Sequence, residues 1–312
     1  MYKITSSFIA CIFAFASFTA CSDAPALPTE NQNKEAPDSN YVTVDDTRIF
    51  YREAGEGPTT LILLHGWPLS SQLFQKNISA LAEEYHVIVP DLPGFCNSEF
   101  NANPQEWGVE DYANDILALM DELGIEQAVI GGMSMGGPIV LSMFEQAPDR
   151  FIGMLLIDTI AAPAAAPEKQ LWLGWVQRIQ EMGVESIPSY VMDEMLTAEA
   201  RMNNTELVNE VATIMKHASK EGAIAGAYAL ANRPDFRPLL GSIDVPTLIL
   251  VGIQDSIYPY EIAQRMQQNI SGSELVILDG GNHAAIIEEA DAANEAILSW
   301  MGEMSPAASA NN

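Results

Sequence analysis

Six short apolar runs punctuate this chain at residues 60–64, 87–89, 128–130, 152–157, 247–251 and 275–278, and the segments between them carry helical periodicity. A continuous apolar run with no alternating polar face suits a strand covered on both sides, which is how the strands of a parallel sheet are buried. Parallel neighbours need crossover segments, and residues 112–123 have the pattern of one, with Ile116, Leu117, Leu119 and Met120 at near-helical spacing. The series therefore predicts an α/β fold built on a mostly parallel, doubly wound sheet. Ahead of it, residues 41–44 and 49–52 flank Asp45-Asp46-Thr47 and predict an antiparallel N-terminal hairpin.

The alternation stops between Ile157 and Val245. A structureless loop of that length is improbable in a globular chain, and residues 169–230 are helical in character and rich in Met and Trp. A helical cap insertion over residues 161–238 is expected, entered through the Ala- and Pro-rich stretch 161–167 and left near Pro234 and Pro238. The core then divides into residues 41–160 and 239–303, followed by a disordered tail at 304–312. Leu171, Trp172, Trp175, Met182, Met192, Met195, Met202 and Met215 within the insertion would suit an apolar pocket.

Of the 312 residues, 48% are hydrophobic and 18% charged, a balance that supports a large core and excludes a disordered chain. Fourteen Lys and Arg stand against 42 Asp and Glu, for a net charge of -28, which argues against nucleic acid as a partner. The excess is spread along the chain and reads as an acidic surface; an anionic substrate would meet a repulsive field unless the pocket supplied cations.

Residues 1–20 have the anatomy of an export signal: Lys3, an apolar stretch at 8–18, and small residues before Cys21. Phe18-Thr19-Ala20-Cys21 resembles the lipobox of bacterial lipoproteins, with Phe in place of the usual Leu. That resemblance implies cleavage before Cys21, a lipid on its thiol and attachment to a membrane of the cell envelope. Residues 21–40 would form a flexible tether. Of the three cysteines this leaves Cys96 alone in the folded part, so no intramolecular disulfide is expected.

Chemistry concentrates at Gly132-Met133-Ser134-Met135-Gly136, directly after the strand near Ile130 and directly before a helical segment. A G-x-S-x-G motif in this strand-turn-helix setting is a nucleophile elbow, whose glycines let strand and helix approach around a strained serine. Serine needs a base in reach. His283, in Gly281-Asn282-His283 after the last strand, is the candidate, with surface or structural roles preferred for His86 and His217. Asp255, just past the strand at 247–251, is the acid that would orient the imidazole, with Asp158 at the end of the preceding strand as its competitor. His65-Gly66-Trp67-Pro68 closes the first core strand, where a sharp turn would aim the Trp67 N–H at the same oxyanion as the Met135 N–H.

Taken in order, these motifs, together with Asp91-Leu92-Pro93-Gly94-Phe95-Cys96-Asn97-Ser98, resemble the α/β-hydrolase superfamily from about Tyr41 to Met301. His65 to Ser70 and the elbow look like the arylesterase and cofactor-free haloperoxidase group, and Arg233-Pro234-Asp235 is similar to a broader set that includes enol-lactone hydrolases. The resemblance implies acyl transfer through Ser134, His283 and Asp255, with Trp67 and Met135 as the oxyanion hole and no metal or organic cofactor. Serine at 134 argues against the branches that attack through a carboxylate. Cys96 departs from the pattern, which has glycine there, and leaves that loop's conformation open.

The expected substrate is a small or medium uncharged carboxylic ester or lactone. The same triad could serve a C–C bond hydrolase or an aminopeptidase, and a non-catalytic ligand-binding lipoprotein is the rival outside the enzymes.

Overall fold

The computed structural model describes residues 39–304, so the export signal, Cys21, nearly all of the tether and residues 305–312 lie outside it. The described chain begins with strands β1 (Ser39–Val44), β2 (Thr47–Ala54) and β3 (Thr60–Leu64), helix α1 (Gln75–Leu81), strand β4 (His86–Pro90), helix α2 (Val109–Glu122), strand β5 (Ala128–Met133), helix α3 (Gly136–Gln146) and strand β6 (Phe151–Ile157). Five helices follow without a strand: α4 (Ala166–Met182), α5 (Pro188–Met195), α6 (Ala198–Asn203), α7 (Thr205–Lys216) and α8 (Lys220–Asn232). Strand β7 (Thr247–Gly252), helix α9 (Tyr260–Asn269), strand β8 (Glu274–Leu278) and helices α10 (Ala285–Glu288) and α11 (Ala290–Met304) complete it.

All eight strands form one sheet in the order β1-β2-β4-β3-β5-β6-β7-β8. β2 pairs antiparallel with both β1 and β4, and every pairing from β4 onward is parallel. The hairpin turn is tighter than the sequence suggested, because Asp45 and Asp46 both take positive φ, 44° and 66°, and Thr47 already pairs with Val44. Two central residues with φ > 0 match the twist of the flanking strands, and Asp tolerates that region better than most side chains. From β3 the chain moves outward to β4 and then returns to place β5 on the other side of β3. Such a reversal leaves a crevice outside the carboxyl ends of the two strands, here β3 and β5.

β3 to β7 are buried as their continuous apolar runs require, but β8 is not. It forms the edge of the sheet, with Glu274 and Ile277 exposed, which corrects the expectation that all six runs are fully covered. An edge strand lacks a neighbour on one side and reads like a buried one only because its inner side chains pack on the core.

Helix α2 starts earlier than its apolar pattern suggests, because the Asp111 carboxylate accepts the Gly108 N–H at 2.7 Å and caps the first turn. Helix α4 likewise begins inside the expected hinge, with Pro167 in its first turn, where a missing N–H costs nothing. The excursion α4–α8 is fastened to the sheet's carboxyl end through Trp67. Its indole N–H donates to the Ala223 carbonyl of α8 at 2.8 Å, and its ring meets those of Trp172 and Trp175 of α4 at 5.2 and 5.5 Å. Tilted aromatic pairs of this kind contribute about 0.5–1.5 kcal/mol each beyond the area they bury.

Candidate active site

Ser134 follows β5 at φ 52°, a left-handed conformation that a non-glycine residue adopts only where its surroundings enforce it. The enforcement is visible on every side. The Ser134 N–H donates to the Ile157 carbonyl of β6 at 3.0 Å, and its own carbonyl accepts from the Gly137 N–H at 3.0 Å and the Thr159 hydroxyl at 2.6 Å. A Cβ on Gly132 would lie 2.2 Å from the Gly136 carbonyl oxygen, and one on Gly136 would lie 2.5 Å from that of Leu64. Only hydrogen fits at these two positions, so the motif's glycines are what allow the strand to turn into α3 directly beneath β3.

His283 follows β8 on the loop into α10 and is almost wholly buried. Its Nδ1 stands 2.9 Å from Asp255 Oδ2 and its Nε2 stands 2.9 Å from Ser134 Oγ. A carboxylate can only accept, so Nδ1 carries the proton and Nε2 accepts from the serine hydroxyl. Asp255 is itself held in place, its Oδ1 accepting from the N–H groups of Ile257 at 2.8 Å and Tyr258 at 2.9 Å. The Asn282 carbonyl oxygen of the side chain accepts the His283 N–H at 3.0 Å while its amide donates to the Asp193 and Leu196 carbonyls, tying the histidine loop to the end of α5. Asn282 adjoins His283 in the sequence, but nothing local marks it for this role, because its partners lie at the end of α5.

The competing acid lies next door and is differently equipped. Asp158, at the end of β6, sits at φ 43° and is buried, its Oδ1 accepting the Gly252 N–H at 2.7 Å and its Oδ2 meeting no partner. Burial, reinforced by the neighbouring Asp255 carboxylate, pushes its carboxyl well above the usual range. It touches neither the imidazole nor the serine by any hydrogen bond.

The turn after β3 brings Gly66 against the serine, since a Cβ there would lie 2.8 Å from Ser134 Cβ. His65 shapes that turn: Nε2 accepts the Leu92 N–H at 3.0 Å, which puts the proton on Nδ1, 2.9 Å from the Gly66 carbonyl. Burial pushes its pKa down, so it stays neutral, a structural histidine. Among the described residues neither the Trp67 nor the Met135 backbone N–H is engaged by a protein acceptor outside regular helix and strand pairing. His86 is occupied elsewhere, by Glu53 at 2.7 Å and Thr60 at 3.1 Å, and the His217 carbonyl accepts the Cys96 N–H. Cys96 takes φ 48°, the region glycine would occupy freely, and burial raises its thiol to about 11, well clear of a reactive thiolate.

Ser134 and His283 open into a cavity of about 360 Å³. Its apolar wall comes from Trp67, Leu171, Trp172, Trp175 and Met195. The other methionines proposed for it go elsewhere: Met182 and Met202 are exposed, Met215 is buried in the core, and Met192 packs against the core from the side. Helical sequence alone does not tell which face of α4 to α7 meets the sheet. Two carboxylates unforeseen in the sequence also line the cavity, Glu168 and Glu194. Glu168 is neutralised by Arg233, whose guanidinium is fully buried and reaches both carboxylate oxygens at 2.7 and 2.8 Å. Glu194 makes no such pair among the described residues. Among the described residues no three His, Cys, Asp or Glu side chains converge as metal ligands would.

A serine on a strained elbow at the reversal point of a doubly wound sheet, with an imidazole and a carboxylate in line behind it, defines the architecture and machinery of an α/β-hydrolase-fold protein. The comparisons agree. A family model described as alpha/beta hydrolase fold matches residues 59–183, and one described as TAP-like protein matches residues 229–308. A thermophilic esterase from Thermogutta terrifontis superposes with a TM-score of 0.81 at 28% identity, over 86% of this chain and 99% of that one. The enol-lactonase from Burkholderia xenovorans LB400 gives 0.78 at 26% identity, over 84% and 100%. In sequence, the AB hydrolase superfamily protein YisY of Bacillus subtilis is 29% identical over 83% of this chain and 97% of its own length. The chain belongs to the α/β-hydrolase superfamily.

Proposed function

We propose that this protein is a serine hydrolase that cleaves carboxylic esters or lactones of small or medium size through an acyl-enzyme on Ser134. The observation that carries the reading is the unbroken relay from Asp255 Oδ2 through both nitrogens of His283 to Ser134 Oγ, each step 2.9 Å. His283 takes the serine proton as Oγ attacks the carbonyl carbon, and Asp255 stabilises the imidazolium that forms. The oxyanion that develops is met by the Trp67 and Met135 N–H groups. His283 then gives its proton to the departing alkoxide; a water, deprotonated by the same nitrogen, attacks the acyl-enzyme and releases the acid. Esterase and enol-lactonase relatives support an ester as the scissile group. The cavity volume and aromatic walls favour a compact acyl or alcohol part, and the acidic surface disfavours an anionic one.

Steady hydrolysis of short p-nitrophenyl esters, lost in Ser134→Ala, is the expected result. Turnover that survives in that variant would overturn the mechanism.

The export reading belongs to the same proposal: cleavage before Cys21 and acylation of its thiol would hold the enzyme on a membrane of the cell envelope, with residues 21–40 as the tether. Incorporation of labelled fatty acid into the full chain expressed in bacteria, and its loss in Cys21→Ser, is the check.

A further inference from the structure

The cavity above Ser134 holds two carboxylates in different states. Glu168 is matched by the bidentate Arg233, and its charge is already spent within the protein. Glu194, at the end of α5 beside the histidine loop, lines the same cavity as Ser134 and His283 and has no cation and no hydrogen-bond donor on its carboxylate among the described residues. The adjacent Asp193 does have one, Arg201. Glu194 stands exposed to water at the mouth of the cavity, with His283 as its nearest charge-bearing neighbour, so its charge is available to a ligand entering from solvent. It can act as the counter-charge for a cationic ligand, and three indole rings, Trp67, Trp172 and Trp175, line the same cavity, the side-chain type that attracts alkylammonium groups most strongly. The net charge of -28 adds a field that gathers cations and repels anions.

We infer that Glu194 is a specificity-determining residue and that the preferred ester carries an ammonium group close to its scissile carbonyl. This rests on the serine-hydrolase reading and replaces the uncharged ester expected from the sequence with a cationic one. The cation could sit on the acyl side, as in an α-amino acid ester, or on the alcohol side, as in an aminoalkyl ester; the shared chemistry is an alkylammonium within reach of Glu194 when the carbonyl lies over Ser134.

Two isosteric pairs test it. L-leucine methyl ester is compared with methyl 4-methylpentanoate for the acyl side, and acetylcholine with 3,3-dimethylbutyl acetate for the alcohol side, with p-nitrophenyl acetate as a charge-free reference. At least one pair should show a preference for the charged member of about tenfold in kcat/KM, carried mainly by KM, and Glu194→Gln should bring that ratio near one. Asp193→Asn, which removes a neighbouring charge that Arg201 already matches, should leave the ratio in place. Calorimetry with Ser134→Ala supplies a readout free of turnover: L-leucinamide or choline should bind more tightly than 4-methylpentanamide or 3,3-dimethylbutanol, and the difference should vanish when Glu194→Gln is added. Serine-dependent turnover of p-nitrophenyl acetate with no charge preference in either pair, or a preference untouched by Glu194→Gln, overturns this inference and leaves the hydrolase reading standing. No turnover of any ester overturns the hydrolase reading, and the calorimetric comparison then decides the ammonium site by itself.

Discussion

β6 and β7 are neighbours in the sheet, and each is followed at the carboxyl edge by an aspartate, yet the two have been made into different chemical objects. At the end of β7 a turn aims two backbone N–H groups at one oxygen of Asp255 and leaves the other facing an imidazole. At the end of β6 Asp158 receives a single backbone N–H and has an orphan oxygen. Burial then does opposite work. Around Asp255 every oxygen is matched, so the carboxylate can serve as a fixed counter-charge. Around Asp158 burial is only partly offset by the Gly252 N–H and the neighbouring carboxylate repels, so its carboxyl is held well above the usual range. Closeness to the reaction does not make an acid catalytic; its hydrogen-bond complement does.

The sharpest way to break this comparison is Asp255→Asn. It should lower kcat by about 10⁴-fold, because an amide in that place holds the wrong histidine tautomer. If ester hydrolysis retains a tenth of its rate, Asp158 is supplying the counter-charge and the two strand ends have been assigned the wrong way round. Asp158→Asn is the companion experiment. The amide keeps an acceptor for the Gly252 N–H and mimics the protonated acid, so kcat/KM should change by less than about threefold; a loss of tenfold or more would mean that its charge matters.

The smallest effect lies far from the site and tests the physics alone. Asp115 on α2 is another buried aspartate with an orphan oxygen, and burial, helped by Asp45 and Asp111, raises its carboxyl to about 7. With the folded value above the ordinary 3.8, the group costs nothing at low pH, where both states are protonated. Stability is lost as pH rises from that value through about 7, where the folded chain keeps a proton that the unfolded chain has released. Asp115→Asn should therefore raise Tm at pH 8 by about 2–4 °C and leave it unchanged at pH 4, by thermal denaturation monitored across that range.

Much of this site was legible in the chain. Gly132 to Gly136 announce the elbow because only glycine survives the 2.2 and 2.5 Å approaches on either side of the serine. His283 was one of four histidines, and its position after the last strand placed it at the right edge. Less legible was the choice between Asp158 and Asp255, since both follow core strands and both reach the same edge. Glu168, Glu194 and the selection of Trp172, Trp175 and Met195 over Met182, Met202 and Met215 carried no local signal. Which face of an excursion helix meets the cavity depends on how the five helices settle against one another and against Trp67.

What the sequence determined by itself is whatever local sterics and periodicity control. Continuous apolar runs specify the strands of the sheet, Asp45-Asp46-Thr47 between two apolar segments marks a hairpin, and a serine between spaced glycines must sit on a tight elbow. The tertiary structure alone decided that β8 forms an edge, that Asp255 and not Asp158 bonds the imidazole, and that Arg233 neutralises one cavity carboxylate while the other has no cation among the described residues. Those outcomes are set by partners distant in sequence, Asp255 and His283 by 28 residues and Ser134 and His283 by 149. A hydrogen bond or ion pair exists only where the fold brings both members within about 3 Å, and no local pattern encodes that meeting.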